Sequence, residues 1–353
     1  MNSWYKNKLR FYTIITTLLF STLENSAEQN NIPQIDFNKS LLAPDGTFTE
    51  ESLPKFLAQA YQEKKLTNPD FSKAECLKAK KMDVQGSFNT LQLFQITTTC
   101  RSGQTSSYIV KEARNGLDEA TKLKAIEKYP GMKELLAPAN PPQGFPSVIL
   151  PIAYFSYAGQ GGYGLHYIAV MPSAKGKVFC QIVQEYRDNP SSQNAEKIKQ
   201  AYKKLGTELA NFHKHFSHGD MHCFNFFYNG SYFGLIDNET VTISKSFQNA
   251  GDDDLKLFLG LVSTSEPAER KNIIQGIDLK VWYNLAFKSF IEGSLEAYKP
   301  AEQQKVLADL KKIFNSNQTF PWLKIDAAEL QKLRTNYINP VFDEIEKQRF
   351  AKK

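Results

Sequence analysis

The chain has 353 residues, with 43 Lys+Arg against 37 Asp+Glu for a formal charge of +6, and hydrophobic residues make up 41%. That balance, with 19 Gly and 16 Pro, excludes collagen-like, coiled-coil and wholly disordered chains. The small positive excess comes without a Lys/Arg-rich block, so nucleic acid is not an expected partner. No apolar run reaches the ~18 residues of a spanning helix, which excludes a multi-pass membrane protein.

In chain order, Lys6, Lys8 and Arg10 precede an apolar run from Phe11 to Phe20 and a small residue at Ala27. This is a signal-peptide pattern over residues 1–27 and predicts export. Asn25 is not the small residue a cleavage site prefers, so an uncleaved membrane anchor is the alternative, and membrane contact is expected only through this segment. Cys76, Cys100, Cys180 and Cys223 show no C-x-x-C spacing. If a disulfide forms, Cys76 with Cys100 is the expected pair.

Residues 28–81 read as a polar linker, over 28–50, followed by a helical extension with Leu53, Phe56, Leu57, Ala60 and Tyr61 at helical spacing between Glu51 and Lys65. Residues 82–173 read as a mostly-β lobe. Met82 to Lys111 alternates apolar and polar side chains about the turn RSGQTS, a helix is expected from Leu117 to Tyr129, and a second hairpin ends at Pro172. Residues 174–353 read as a helical lobe, with helices expected at Lys177 to Arg187, Asn194 to His215, Asp253 to Val262, Leu279 to Tyr298, Glu302 to Phe314 and Ala327 to Arg349. One hairpin, FNFFYNGSYFGLID with its turn at Asn229-Gly230, interrupts them. The fold class is therefore α+β in two lobes.

The chemistry concentrates between Leu205 and Glu239, in His218-Gly219-Asp220-Met221-His222 followed by Asn225 and then Asp237 at a strand end. Phosphoryl transfer needs one carboxylate to take the acceptor's proton, and an Asn and a second carboxylate to hold Mg²⁺ on nucleotide phosphates. Hard oxygen ligands suit that hard cation. A zinc reading of His213, His215, His218, His222 and Cys223 leaves Asn225 and Asp237 without a role, and no G-x-S-x-G elbow supports a Ser-His-Asp hydrolase.

These residues match the H-G-D-x-H-x-x-N and I-D-x-E patterns of the kinase-like phosphotransferases, and the chain resembles the aminoglycoside phosphotransferase and choline kinase group from about Val84 to Leu261. The resemblance implies a small mostly-β lobe over a larger helical lobe, a protein-kinase-like fold with ATP in the cleft. It implies Asp220 as catalytic base and Asn225 and Asp237 as metal ligands. Lys111 would hold the α and β phosphates with Glu119 as its helix partner, and Glu127 is the reserve because the gap to Glu119 is short for that group. Gly86, Ser87 and Phe88 occupy the turn over the phosphates, although G-x-G-x-x-G is absent, and Met171 would begin the hinge that meets adenine. Glu239 could support the metal indirectly. Asp252, Asp253 and Asp254 read as the capping acids of a helix start, one of them able to brace the catalytic loop.

No A-P-E closes a long activation segment after Asp237, which favours a small hydroxyl-bearing acceptor over a protein. The expected function is an ATP- and Mg²⁺-dependent phosphotransferase. A pseudokinase acting as a nucleotide-binding scaffold, an atypical protein kinase and nucleotidyl transfer are the alternatives.

Overall fold

The computed structural model describes residues 32–82, 90–101, 104–113, 141–158, 165–243, 247–262, 273–316 and 325–351. Within them the alternating segments of the first half form strands β1 (Leu77–Met82), β2 (Thr90–Arg101), β3 (Gln104–Ala113), β4 (Ser147–Val148), β5 (Ala153–Ala158) and β6 (Leu165–Pro172). All but β4 join one antiparallel sheet in the order β1-β2-β3-β6-β5. Alternation along β3 sends Tyr108, Val110 and Glu112 to one face and Ile109 and Lys111 to the other. Lys111 stands opposite Leu93 on β2 and Ala169 on β6, and Ala169 stands opposite Tyr154 on β5.

The Val110 face is covered from the amino-terminal side. Ile35, Phe37, Phe48 and Phe71, with Phe56 and Leu57 of helix α1 (Ser52–Gln62), share one buried cluster with Phe94, Val110, Phe155 and Ile168. Residues 28–50 were expected to be a linker, yet Ile35, Phe37 and Phe48 belong to the core, because an otherwise solvent-facing apolar sheet face has to be covered. Polar contacts fix the segment in register. Tyr108 donates to Asp70 Oδ2 at 2.6 Å, and burial together with that carboxylate pushes the phenol up to about 12. Glu112, fully buried, accepts the Phe48 N–H at 3.3 Å and the Tyr157 hydroxyl, and lies 3.0 Å from His166 Nδ1.

After β6, residues 173–176 cross to the second lobe, where β7 (Lys177–Val178) leads into helix α2 (Phe179–Asp188). Helix α3 (Ser192–His213) starts with the Ser191 hydroxyl accepting the Asn194 N–H, an N-cap. Short strands β8 (Phe216–Ser217), β9 (Phe226–Tyr228), β10 (Phe233–Leu235) and β11 (Thr242–Ile243) follow. The sheet β4-β10-β9-β7 ties the lobes together, since β4 pairs in parallel with β10. The Asn229-Gly230 turn is closed by Asn229 Oδ1, which accepts from the backbone of Ser231 and Tyr232.

Helix α4 spans Phe247–Val262. It begins before Asp252, so the three aspartates lie inside it rather than at its start. Next come α5 (Leu279–Trp282) and α6 (Lys288–Glu296), joined through a π turn at Tyr283–Phe287, and then α7 (Pro300–Phe314). Helices α8 (Ala327–Leu333) and α9 (Asn339–Phe350) are likewise joined through a π turn, at Arg334–Ile338. Leu205, Leu209, Phe258, Phe287, Phe290 and Phe342 belong to the core between them, and burying each such side chain contributes about 1.5–3 kcal/mol. Helices α3 and α6 touch backbone to backbone: a Cβ on Gly206 would fall 2.0 Å from Phe290 O, and one on Gly293 1.9 Å from Lys203 O. Among the described residues no helix is long and apolar enough to cross a membrane.

Candidate active site

The loop from His218 to Asn225 lies between β8 and β9, and its shape follows from a few forced choices. Gly219 has φ +84, and a Cβ there would sit 2.9 Å from Thr240 O, so a side chain would be both strained and crowded. The loop is held from below by Asp253, whose carboxylate accepts the Ser217 hydroxyl at 2.6 Å, the His218 N–H at 2.8 Å and the Gly219 N–H at 3.1 Å. Lys256, one turn further along α4, donates to Gly219 O at 3.0 Å, and the Thr240 hydroxyl donates to His218 O at 2.6 Å.

Two connections bind this loop to the β9–β10 hairpin. His218 Nε2 donates to Ile236 O at 3.1 Å; a carbonyl only accepts, so the proton sits on Nε2. Burial holds His218 below the ordinary histidine range, with Asp253 pulling the other way. The Ile236 N–H in turn donates to Asn225 O at 3.1 Å, extending the hairpin ladder so that Asn225 and Asp237 come to the same end of it.

At that end the four motif residues are arranged as follows. The Asn225 side-chain NH₂ donates to Asp220 O at 2.9 Å, which leaves its carbonyl oxygen as the remaining polar end. Asp237 has φ 59 and ψ 49, a left-handed backbone that costs a non-glycine residue on the order of 1–2 kcal/mol. Strain of this kind is concentrated at functional sites. Lys111 reaches down from the sheet, and its Nζ lies 3.4 Å from Asp237 Oδ1, with the lysine side chain 11% exposed and the aspartate 40%. The Asp220 side chain is 42% exposed. The geometry thus brings Lys111, Asp237, Asn225 and Asp220 into one inter-lobe region.

Met171 lies inside β6, opposite Ile109, just ahead of the crossover. Gly86, Ser87, Phe88, Glu119 and Glu127 lie outside the described residues, as do residues 1–27 with the signal pattern and the side chain of Cys100. Glu239 has no described side chain. The histidines do not converge: His213 is engaged by Asp254 at 3.1 Å and by Phe216 O at 3.2 Å. Burial disfavours its charged form, but Asp254, Asp253 and the Phe216 carbonyl together outweigh that and raise it. Among the described residues no three His, Cys, Asp or Glu side chains are grouped to hold a metal ion. Cys223 and Cys180 form no disulfide; their thiols are in hydrogen-bond contact in the core, which lowers the Cys180 thiol.

Two contributors were not singled out by motif, Lys256 and Thr240, which act on loop carbonyls; His222, the second histidine of the motif, lies against Asp220. Asp253 was one of three candidates, the consecutive acids that precede the run LKLFLGLV, and the sequence does not distinguish it from its two neighbours.

No protein-family model matches the sequence, and no curated protein matches it. Among the solved structures similar to the chain is WaaP in complex with acyl carrier protein, at 12% identity and a TM-score of 0.42, covering 77% of this chain and 96% of that one. At that identity and score the likeness carries nothing about chemistry. An antiparallel sheet lobe over a helical lobe, with Lys111 and Asp237 meeting between them, is consistent with a kinase-like two-lobed fold.

Proposed function

We propose that the chain is an ATP- and Mg²⁺-dependent phosphotransferase that moves the γ-phosphate to a hydroxyl of a small acceptor. The observation that carries this reading is the meeting of Lys111 Nζ and Asp237 Oδ1 at 3.4 Å across the two lobes, beside the loop bearing Asp220 and Asn225. The donors fit the chemistry: Asp237 and Asn225 offer hard oxygens of the kind Mg²⁺ takes, and Lys111 offers a cation to phosphate. Bound Mg²⁺ would neutralise charge on the β and γ phosphates. Lys111 would bind the phosphates and Asp237 and Asn225 the metal, while Asp220 would take the acceptor's proton as its oxygen bonds to the γ phosphorus and the bond to the β-phosphate oxygen breaks, releasing ADP. The many bonds to Asp253 hold the loop in place before substrate arrives, so little reorganisation remains for the reaction itself.

Met171 and residues 173–176 are proposed to meet adenine. The signal-like segment at 1–27 supports an exported or anchored location. A small acceptor is supported by the lack of an A-P-E platform.

The test uses the full chain with MgATP and water as acceptor. Phosphate release should fall by roughly 100-fold or more in Asp220→Asn, with nucleotide binding retained. Nucleotide binding by a wild type that releases no phosphate would replace this reading with a nucleotide-binding scaffold, and adenylate rather than phosphate on an acceptor would replace it with nucleotidyl transfer.

A further inference from the structure

Asn238 fills the open position of the I-D-x-E pattern, directly after the proposed metal ligand Asp237, and the reaction just described gives it no task. It is 3% exposed, and its amide nitrogen donates to two backbone carbonyls, Ile149 O at 3.0 Å and Leu235 O at 3.1 Å. A carbonyl oxygen only accepts, so the NH₂ end has to face them and the amide has one orientation. The other end is left with a cost, because Asn238 Oδ1 is buried and meets no hydrogen-bond donor among the described residues. An apolar residue of similar bulk would fill the same space without that cost. The return therefore comes through the two donated bonds.

Those bonds join segments from both lobes. Leu235 ends β10, and Ile149 follows β4, from which residues 150–152 lead into β5 of the sheet that carries Lys111. Leu235 O also accepts the Ile149 N–H at 2.9 Å, so Asn238 closes the end of the β4–β10 ladder. Asp237 lies between that closure and the hairpin. Its backbone is left-handed, at φ 59 and ψ 49, and its side chain makes no capping bond within the turn. A non-glycine residue keeps such a conformation only where the surrounding structure over-determines it. On one flank the Ile236 N–H is tied to Asn225 O at 3.1 Å, and on the other Asn238 is tied to Ile149 and Leu235. Held from both sides, the turn sets Asp237 Oδ1 at 3.4 Å from Lys111 Nζ.

We infer that Asn238 is a positioning residue for the metal site: its amide clamps the turn that presents the Asp237 carboxylate to Mg²⁺ and, through Ile149, ties that turn to the chain entering the sheet lobe. The inference rests on the metal–nucleotide site of the phosphotransferase reading. A side chain that only fills the core sets stability, whereas a clamp on a metal ligand also sets how much Mg²⁺ the site needs.

The test titrates Mg²⁺ into the full chain at fixed ATP, reading phosphate release with water as acceptor and, in parallel, the rise in Tm. Asn238→Ala should need roughly 10-fold more Mg²⁺ to reach half of either effect, and saturating Mg²⁺ should restore most of the rate. Asp237→Ala lacks the ligand itself and should not be restored. Should Asn238→Ala fail to fold, Asn238→Ser takes its place: it keeps one donor on a shorter arm and should show a smaller shift in the same direction. An unchanged Mg²⁺ midpoint in the folded variant, a loss of rate that saturating Mg²⁺ does not restore, or a fall in Tm with no change in Mg²⁺ requirement would each overturn the inference. A wild type with neither turnover nor a Mg²⁺-dependent Tm shift removes the phosphotransferase reading and this inference with it. A wild type that binds MgATP without turnover removes that reading alone, and the Tm titration still decides the role of Asn238.

Discussion

Asp253 in the helical lobe and Glu112 in the sheet lobe are carboxylates sealed from solvent, at 1% and 0% exposure, and each is surrounded by donors. Asp253 collects two backbone N–H groups and a hydroxyl from the loop that carries Asp220. Glu112 collects the Phe48 N–H and the Tyr157 hydroxyl, with His166 alongside. Burying a carboxylate is tolerable in both places for the same reason: hydrogen bonds satisfy its oxygens. What is secured differs, because Asp253 pins the loop proposed for catalysis whereas Glu112 pins the amino-terminal segment to the back of the sheet. A third buried acid, Glu208, meets, among the described residues, the Phe233 N–H at 2.9 Å and Lys204 at 3.1 Å, and burial raises it to about 7. The number and aim of the donors, more than depth, separate these sites.

The sharpest way to break the comparison is to remove each acid in turn. Asp253→Ala leaves the loop N–H groups unpaired in a buried site and should cost about 3–5 kcal/mol in urea unfolding, with phosphate release lost as well. A full-rate Asp253→Ala would show that the loop holds its shape unaided.

Glu208 gives the next effect, and with the opposite sign. Its carboxyl is raised in the folded state, so the folded chain binds the proton more tightly than the unfolded one. The associated stability is fully present below the unfolded value near 4.5, falls as pH rises, and is gone above about 7. Glu208→Gln, which can still accept from Phe233, should therefore be more stable than wild type at pH 8, by up to about 3 kcal/mol. It should show little advantage near pH 4. Melting curves at the two pH values check this, and an unchanged gap between the proteins would contradict it.

Glu112→Gln weakens charge-assisted bonds and should cost about 1–3 kcal/mol while leaving the Mg²⁺-dependent thermal shift with ATP in place. Loss of that shift would mean the back of the sheet controls the nucleotide site, erasing the distinction from Asp253. The smallest effect is expected for Lys177→Ala: Lys177 and Glu185 pair at 2.5 Å but are 60% and 47% exposed, so the change should stay within about 0.5 kcal/mol.

That Asp220, Asn225 and Asp237 come together in the helical lobe was legible in the sequence because they are set at short spacings on one loop and one hairpin, and Asn229-Gly230 announces the turn between them. The sheet-lobe device was not legible. A Glu beside Lys111 on an alternating strand reads as one of two solvent-facing ends, and only a sheet covered on the Glu112 side makes it a core residue. Ile35, Phe37 and Phe48 are too sparse to give a period, so their segment resembled a linker. The helices expected as unbroken from Leu279 to Tyr298 and from Ala327 to Arg349 each contain a π turn, which apolar spacing does not resolve. The aspartates of α4 mimic an N-cap cluster, and that placed the start of the helix too late.

The proposed role of Lys111 and Asp237 in holding a metal-bound nucleotide is tested most directly by thermal unfolding of the full chain with ATP, with and without Mg²⁺, beside Asp237→Ala. Ligand at a hundredfold excess over its Kd stabilises the native state by about 2.7 kcal/mol. The phosphotransferase reading predicts a rise in Tm that requires Mg²⁺ and disappears in Asp237→Ala. A folded wild type whose Tm does not move, or a shift that survives both the removal of Mg²⁺ and the loss of Asp237, would contradict it.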